Sequence, residues 1–168
     1  MVKPMKRYRS LCMLAAVFLN VLVCSCVRVN TMTPAQIVEY LRENIRFAEL
    51  IQMDEDEIFI SFFNESPELV SSALVYMSSS EDKADELVII TPAGRENFDA
   101  VLGEINNHVT RRTASFARQS TAEASKLQNA VLHRTNDDII LVVCEEYQKA
   151  AEFLKEIGAK PAVAKNPK

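Results

Sequence analysis

Asp138-Ile139-Ile140-Leu141-Val142-Val143-Cys144 is apolar at every position after the first, and Glu86-Leu87-Val88-Ile89-Ile90 repeats the arrangement. A strand with one wet face alternates apolar and polar residues, so an unbroken apolar run implies cover on both faces. Each run is the second member of a pair. Ala73 to Ser78 precedes Leu87 to Thr91 across the polar loop Ser79 to Asp85, and Ala130 to Thr135 precedes Ile139 to Cys144 across Asn136-Asp137. Each pair leads into a helix. Arg95 to Phe116 carries Phe98, Val101, Leu102, Ile105, Val109 and Phe116 along one stripe. Glu145 to Ile157 begins with acids, buries Tyr147, Ala150, Ala151, Leu154 and Ile157, and stops at Gly158. The pattern predicts an α+β fold: a four-stranded antiparallel sheet built from two strand-strand-helix units and packed by helices.

The second sheet face needs a cover, and the segment after residue 32 is one candidate, a partner the other. Thr33 is a natural N-cap, Pro34 suits the first helical position, Gln36 completes a capping box, and Met32 with Ile37 stands at the positions of a hydrophobic staple. Ile37, Leu41, Ile45 and Ala48 then line one face of an N-terminal helix. Asp54-Glu55-Asp56-Glu57 before Ile58-Phe59-Ile60-Ser61-Phe62-Phe63 suits a short helix whose acids meet the helix dipole, although the apolar run also permits a strand. Ser66-Pro67-Glu68-Leu69 reads as a cap and one turn, and Ser120-Thr121-Ala122-Glu123 as a capping box for a helix reaching Leu127.

The first 26 residues carry an address. Lys3, Lys6, Arg7 and Arg9 precede a 13-residue apolar run, Leu11 to Val23, which is short for a spanning helix and suits a secretory signal. Val23-Cys24-Ser25-Cys26 resembles a bacterial lipobox, in which Cys26 would receive the lipid. Two acyl chains hold a protein to a bilayer where one is marginal, at about 0.8 kcal/mol per buried CH₂. An uncut anchor, or lipidation at Cys24 after the poorly suited Val23, are the alternatives. The expected organisation is a lipoprotein signal peptide over residues 1–25, a tether over 26–32, one α+β domain over 33–158 and a flexible tail over 159–168. The six residues from Val27 to Met32, fully extended, span about 20 Å, so the domain would ride close to the membrane.

Removal of the signal changes the charge. Four of the 19 basic residues and none of the 23 acidic ones lie in residues 1–25, which leaves the exported part at about −8. That balance disfavours nucleic acid as a partner and makes lipid, not protein surface, the means of membrane attachment. Cys12 and Cys24 leave with the signal and Cys26 is capped, so Cys144 has no disulfide partner and reads as a small buried hydrophobe.

Catalytic patterns are absent from the sequence. Asp54 to Glu57 begins like a calcium loop, but Ile58 and Phe59 replace the next ligand and the glycine. His108 and His133 have no metal-ligand partner at helical or hairpin spacing and are expected at the surface or boundary. Arg111-Arg112 is expected to stay solvated at the end of its helix. Three glycines in the chain leave no phosphate-cradling loop and no oxyanion turn for Ser78, Ser79 or Ser80. No catalytic residue, cofactor or metal site is expected.

The string Ser115-Phe116, Lys126-Leu127-Gln128-Asn129-Ala130-Val131 and Ile139-Ile140-Leu141-Val142-Val143, with Asp85-Glu86-Leu87-Val88-Ile89 before the long helix, resembles a family of small lipoproteins from Gram-positive bacteria. The similarity covers about Thr33 to Ile157, and the family carries a domain of unknown function. Members often have an aromatic near Gln119 and a proline near Thr121, and this chain has neither. The resemblance implies export and lipidation and carries over no catalytic residue.

Two functions from different classes follow. The first is a membrane-tethered extracytoplasmic lipoprotein whose domain binds or assembles with an envelope protein, without catalysis, through an exposed apolar patch on the sheet face or in the groove beside Phe62 and Phe63, the expected interaction surface. The second is a small envelope hydrolase using paired carboxylates from Asp54, Asp56, Asp85 and Glu86, which the sequence places in solvated turns.

Overall fold

The computed structural model describes residues 32–63 and 67–162. The expected signal peptide, Cys26, the tether up to residue 31, the cap at Ser66 and the last six residues lie outside them.

The elements, in order, are α1 (Pro34–Asn44), β1 (Leu50–Gln52), α2 (Glu55–Phe62), a 3-10 turn (Pro67–Leu69), β2 (Val70–Ser78), β3 (Glu86–Pro92), a 3-10 turn (Arg95–Asn97), α3 (Phe98–Phe116), α4 (Thr121–Gln128), β4 (Val131–Arg134), β5 (Ile139–Val143), α5 (Tyr147–Glu156) and β6 (Lys160–Pro161). Both expected strand-strand-helix units are there, as β2-β3-α3 and β4-β5-α5.

The sheet has six strands, not four, in the order β1-β2-β3-β5-β4-β6, and every pairing is antiparallel. The two added strands are edge strands of three and two residues, too short for a period of two to register. The expected loose tail is also corrected at its start, because Lys160 pairs with Arg134 and Pro161 with His133.

The unbroken apolar runs sit where the pattern requires, in neighbouring central strands β3 and β5. Val88, Ile90, Ile139, Leu141 and Val143 face α2, α3 and α4, whereas Leu87, Ile89, Ile140, Val142 and Cys144 face α1 and α5. The sheet is therefore sandwiched between two helical layers, and α1 supplies the second cover with Ile37, Val38 and Leu41. Each such fully buried aliphatic side chain stabilises the fold by about 1.5–3 kcal/mol.

Local chemistry sets the helix ends. Thr33 and Gln36 form the capping box, with the Gln36 N–H on Thr33 Oγ1 and the Thr33 N–H on Gln36 Oε1. At the end of α5, Gly158 takes a φ of 86°. Its N–H bonds the Lys155 carbonyl and the Ala159 N–H bonds that of Leu154, the pairing of a Schellman cap.

Candidate functional site

Phe62 and Phe63, expected as an exposed apolar surface, are interior: each is 1% exposed. The eight residues of α2 place Ile58 and Phe62 one turn apart on the sheet side, and the rings of Phe62 and Phe63 pack against each other. The residue turned outward is Ile60, 66% exposed, beside a shallow depression of about 510 Å³ lined also by Ser61, Phe62, Glu104 and Arg111.

Asp85 and Glu86 also depart from expectation. Both were expected in solvated turns, yet they are 2% and 0% exposed. They open β3 where the sheet meets α3 and α4, and each is neutralised by a cation from those helices. The Glu86 carboxylate lies 2.7 Å from Arg112 Nε and 2.9 Å from His108 Nε2. The contact with Arg112 is ionic and leaves neither atom a well-aligned hydrogen bond. His108 stacks on Phe62 at 3.9 Å between ring centroids, and the Arg112 guanidinium sits over the Phe116 ring. His108 and Arg112, read as surface residues, are thus parts of a buried ion network.

A second branch joins it. Lys126 lies 2.7 Å from Asp85 Oδ2 and 3.0 Å from Glu123 Oε2, and the Ala84 N–H donates to Glu123 Oε2 at 2.9 Å. Burial alone would raise the Glu123 carboxyl, but the Ala84 N–H, Lys126 and Lys83 together hold it below the usual carboxylate range. Burial would likewise lower the Lys126 amine, and Asp85 with Glu123 outweighs this and raises it. The arrangement clamps the β2-β3 turn onto α3 and α4. Sequence reasoning gave Lys126 no role and assigned Glu123 to a capping box, of which the Glu123 N–H to Ser120 hydroxyl half forms while the Glu123 carboxylate goes to Ala84 and Lys126. The signal for Glu123 and Lys126 is the i,i+3 acid–base pair flanking the buried Ala124 and Leu127.

The remaining expectations divide. Asp54 takes the N-cap position of α2 and Glu55, Asp56 and Glu57 fill its first turn, all exposed. Cys144 is fully buried, and burial, with the Asp85 charge adding to it, pushes its thiol up to about 12. His133, expected near the surface, is buried; burial lowers its pKa, and its Nδ1 has no partner among the described residues. Asp138 is buried at the β4-β5 turn, where it accepts from the Thr91 hydroxyl at 2.7 Å.

One surface combines a depression with unused backbone groups. β1 covers only the Tyr76–Ser78 end of β2, and the Met53 N–H adds one bond to the Val75 carbonyl. From Val70 to Leu74, the β1 side of β2 has no strand partner among the described residues. A groove of about 340 Å³ runs there between α2 and the strand edge, within the ~300–1,000 Å³ range of ligand sites. Met53, Ile58, Phe59, Val70 and Ala73 supply its apolar lining, and Gln52, Glu55, Ser71 and Ser72 its polar groups. No pair among Asp54, Asp56, Asp85 and Glu86 shares a described depression. Among the described residues no helix is long and apolar enough to cross a membrane.

No family model, curated protein or solved structure matches the chain.

Proposed function

We propose that the chain is a membrane-tethered extracytoplasmic lipoprotein, cut before Cys26 and lipidated there, whose domain is a non-enzymatic binding or assembly module of the cell envelope. The address is supported by the basic start, the apolar run Leu11 to Val23 and Ser25-Cys26, and by the likeness to small Gram-positive lipoproteins. The binding role is carried by one observation: a groove of mixed polar and apolar lining beside strand backbone that no neighbouring strand uses among the described residues. The carboxylates that a hydrolase would need are, by contrast, held by Lys126, Arg112 and His108 inside the fold or left solvated on α2. A carboxylate whose oxygens are engaged by buried side chains has no open face to offer a substrate.

The address is tested by mass spectrometry of the mature N-terminus from isolated envelopes. The expected product begins at Cys26 with a diacylglyceryl thioether, and Cys26→Ser moves the protein out of the membrane fraction. A retained Met1 or an unmodified Cys26 refutes it.

A further inference from the structure

We propose that the open edge of β2 is a docking site for an extended, cationic peptide segment, which adds to the sheet as a further strand beside α2. The inference rests on the binding role above and names the partner's chemistry.

The backbone supplies the first argument. The Ser78 N–H bonds the Asp85 carbonyl on the β3 side, whereas the Val75 carbonyl accepts from Met53 on the β1 side. Alternation along an antiparallel strand then turns the N–H and C=O of Ala73 outward, as it does those of Val75. Beyond Met53 the chain turns into α2, so Ala73 keeps an outward donor and acceptor with no strand partner among the described residues. Such groups pair with an incoming extended chain, and the adjoining pockets select its side chains.

The two sheet edges differ in how they are guarded. The far edge, β6, is two residues long and made of Lys160 and Pro161, the charge and the missing N–H by which edges resist further strands. The open part of β2 reads Val70-Ser71-Ser72-Ala73, with neither lysine nor proline. Its guard among the described residues is a bulge between Val70 and Ser72.

Charge selects the occupant. Asp54, Glu55, Asp56 and Glu57 on the α2 side and Glu68 before β2 are all exposed, and none is ion-paired among the described residues. No basic residue lines the groove. Of these acids Glu55 lines the groove and the others lie close to its lining residues in the chain; their summed charge repels a second copy of an acidic chain and attracts lysine or arginine side chains projecting from an added strand.

The test uses the full-length protein in a zwitterionic detergent and a fluorescein-labelled Lys-Val-Lys-Val-Lys-Val peptide, read by anisotropy. The expected result is saturable binding below millimolar concentration that weakens with added salt. Glu55→Lys should weaken it about fivefold through lost attraction and added repulsion. Ala73→Pro removes the outward N–H at a position where an edge strand tolerates proline, and should weaken it about fivefold or more. Circular dichroism confirms that each variant is folded. The proposal is overturned by no saturation up to millimolar peptide, by equal binding of a Glu-Val-Glu-Val-Glu-Val peptide, or by two folded variants that bind as the parent does. A self-association in sedimentation that Ala73→Pro abolishes also overturns it, by assigning the edge to a second copy. Purified protein gives these readings whatever its N-terminus, so failure here leaves the membrane address standing, and failure of the address leaves the peptide result standing.

Discussion

Lys126→Met removes the one cation shared by two buried carboxylates and leaves the side-chain length nearly unchanged. In the native fold Lys126 Nζ lies 2.7 Å from Asp85 and 3.0 Å from Glu123, with the carboxylate side chains 2% and 9% exposed. Breaking a buried ion pair by deleting one partner costs about 3–5 kcal/mol, because a charge is left uncompensated in low dielectric. Some compensation survives. Asp85 keeps the Ala48 N–H at 3.3 Å, and Glu123 keeps the Ala84 N–H and a half-exposed Lys83 at 3.8 Å. Lys126 itself is 17% exposed, so its charge is partly hydrated before the change. We therefore expect a loss of about 2–4 kcal/mol at pH 7, or about 10 °C in Tm for a domain of this size.

The pH dependence separates this cause from a packing defect. In the parent, the Glu123 carboxyl is held below its ordinary 4.5, so its contribution is present above that value and fades as pH falls through the lowered one. The Lys126 amine is raised above 10.5, so its contribution is present below that value and is lost as pH rises through the raised one. In the variant Glu123 keeps only the Ala84 N–H and the half-exposed Lys83 against its burial, which weakens the hold that keeps its carboxyl low. The deficit between parent and variant must then shrink between pH 7 and pH 5. Urea unfolding followed by circular dichroism at both pH values measures it. A deficit under about 1 kcal/mol at pH 7 refutes the reasoning, as does one equal at the two pH values.

Two further outcomes are expected. The Cys144 thiol, pushed up to about 12 from 9.0, should carry about a thousandfold less thiolate than an ordinary cysteine, so peptide mapping after iodoacetamide at pH 8 should find it unmodified in the folded protein and fully modified in guanidinium; rapid native labelling contradicts its burial. Burial lowers the His133 pKa from 6.5, so the unfolded chain takes up a proton that the folded one refuses and stability falls as pH drops below that value. His133→Leu should cancel about 1 kcal/mol of this loss between pH 8 and 5.5, and identical pH slopes for parent and variant would discount it.

The central architecture was legible because the residues that decide it act through burial alone. Leu87 to Ile90 and Ile139 to Val143 are apolar without interruption, and only central strands between two helical layers satisfy that pattern. β1 and β6 were not legible. Three and two residues form no period, and their place is fixed by pairing with Tyr76–Ser78 and with His133 and Arg134, which sequence neighbours do not announce. The buried ion network was missed for another reason. Asp85 and Glu86 follow Ser79-Ser80-Glu81-Asp82-Lys83, so local composition reads as a solvated turn. The signal lay on α3, where Ile105, His108, Arg112 and Phe116 continue one apolar stripe at steps of three and four. A histidine and an arginine on a buried stripe require a buried acceptor, and Glu86 shares the sheet face of Val88 and Ile90.

The network and the open edge are mechanically connected through β2. One end of that strand runs into the turn that Glu123, Lys126 and Arg112 bind, the last by a bond from its guanidinium to the Lys83 carbonyl. The other end is fixed by the Ala93 N–H on the Leu69 carbonyl and by the Ser71 hydroxyl on the Thr91 carbonyl. Between these points β2 pairs continuously with β3 from Ser72 to Met77. Ala73 is thus presented on backbone that is held at both ends and along one side. A strand adding there would lose its own conformational freedom but would not have to order the site, which lowers the entropic cost of docking. The buried charges make physical sense in this light, since they hold rigid a hairpin whose outer edge has no strand partner from Val70 to Leu74 among the described residues.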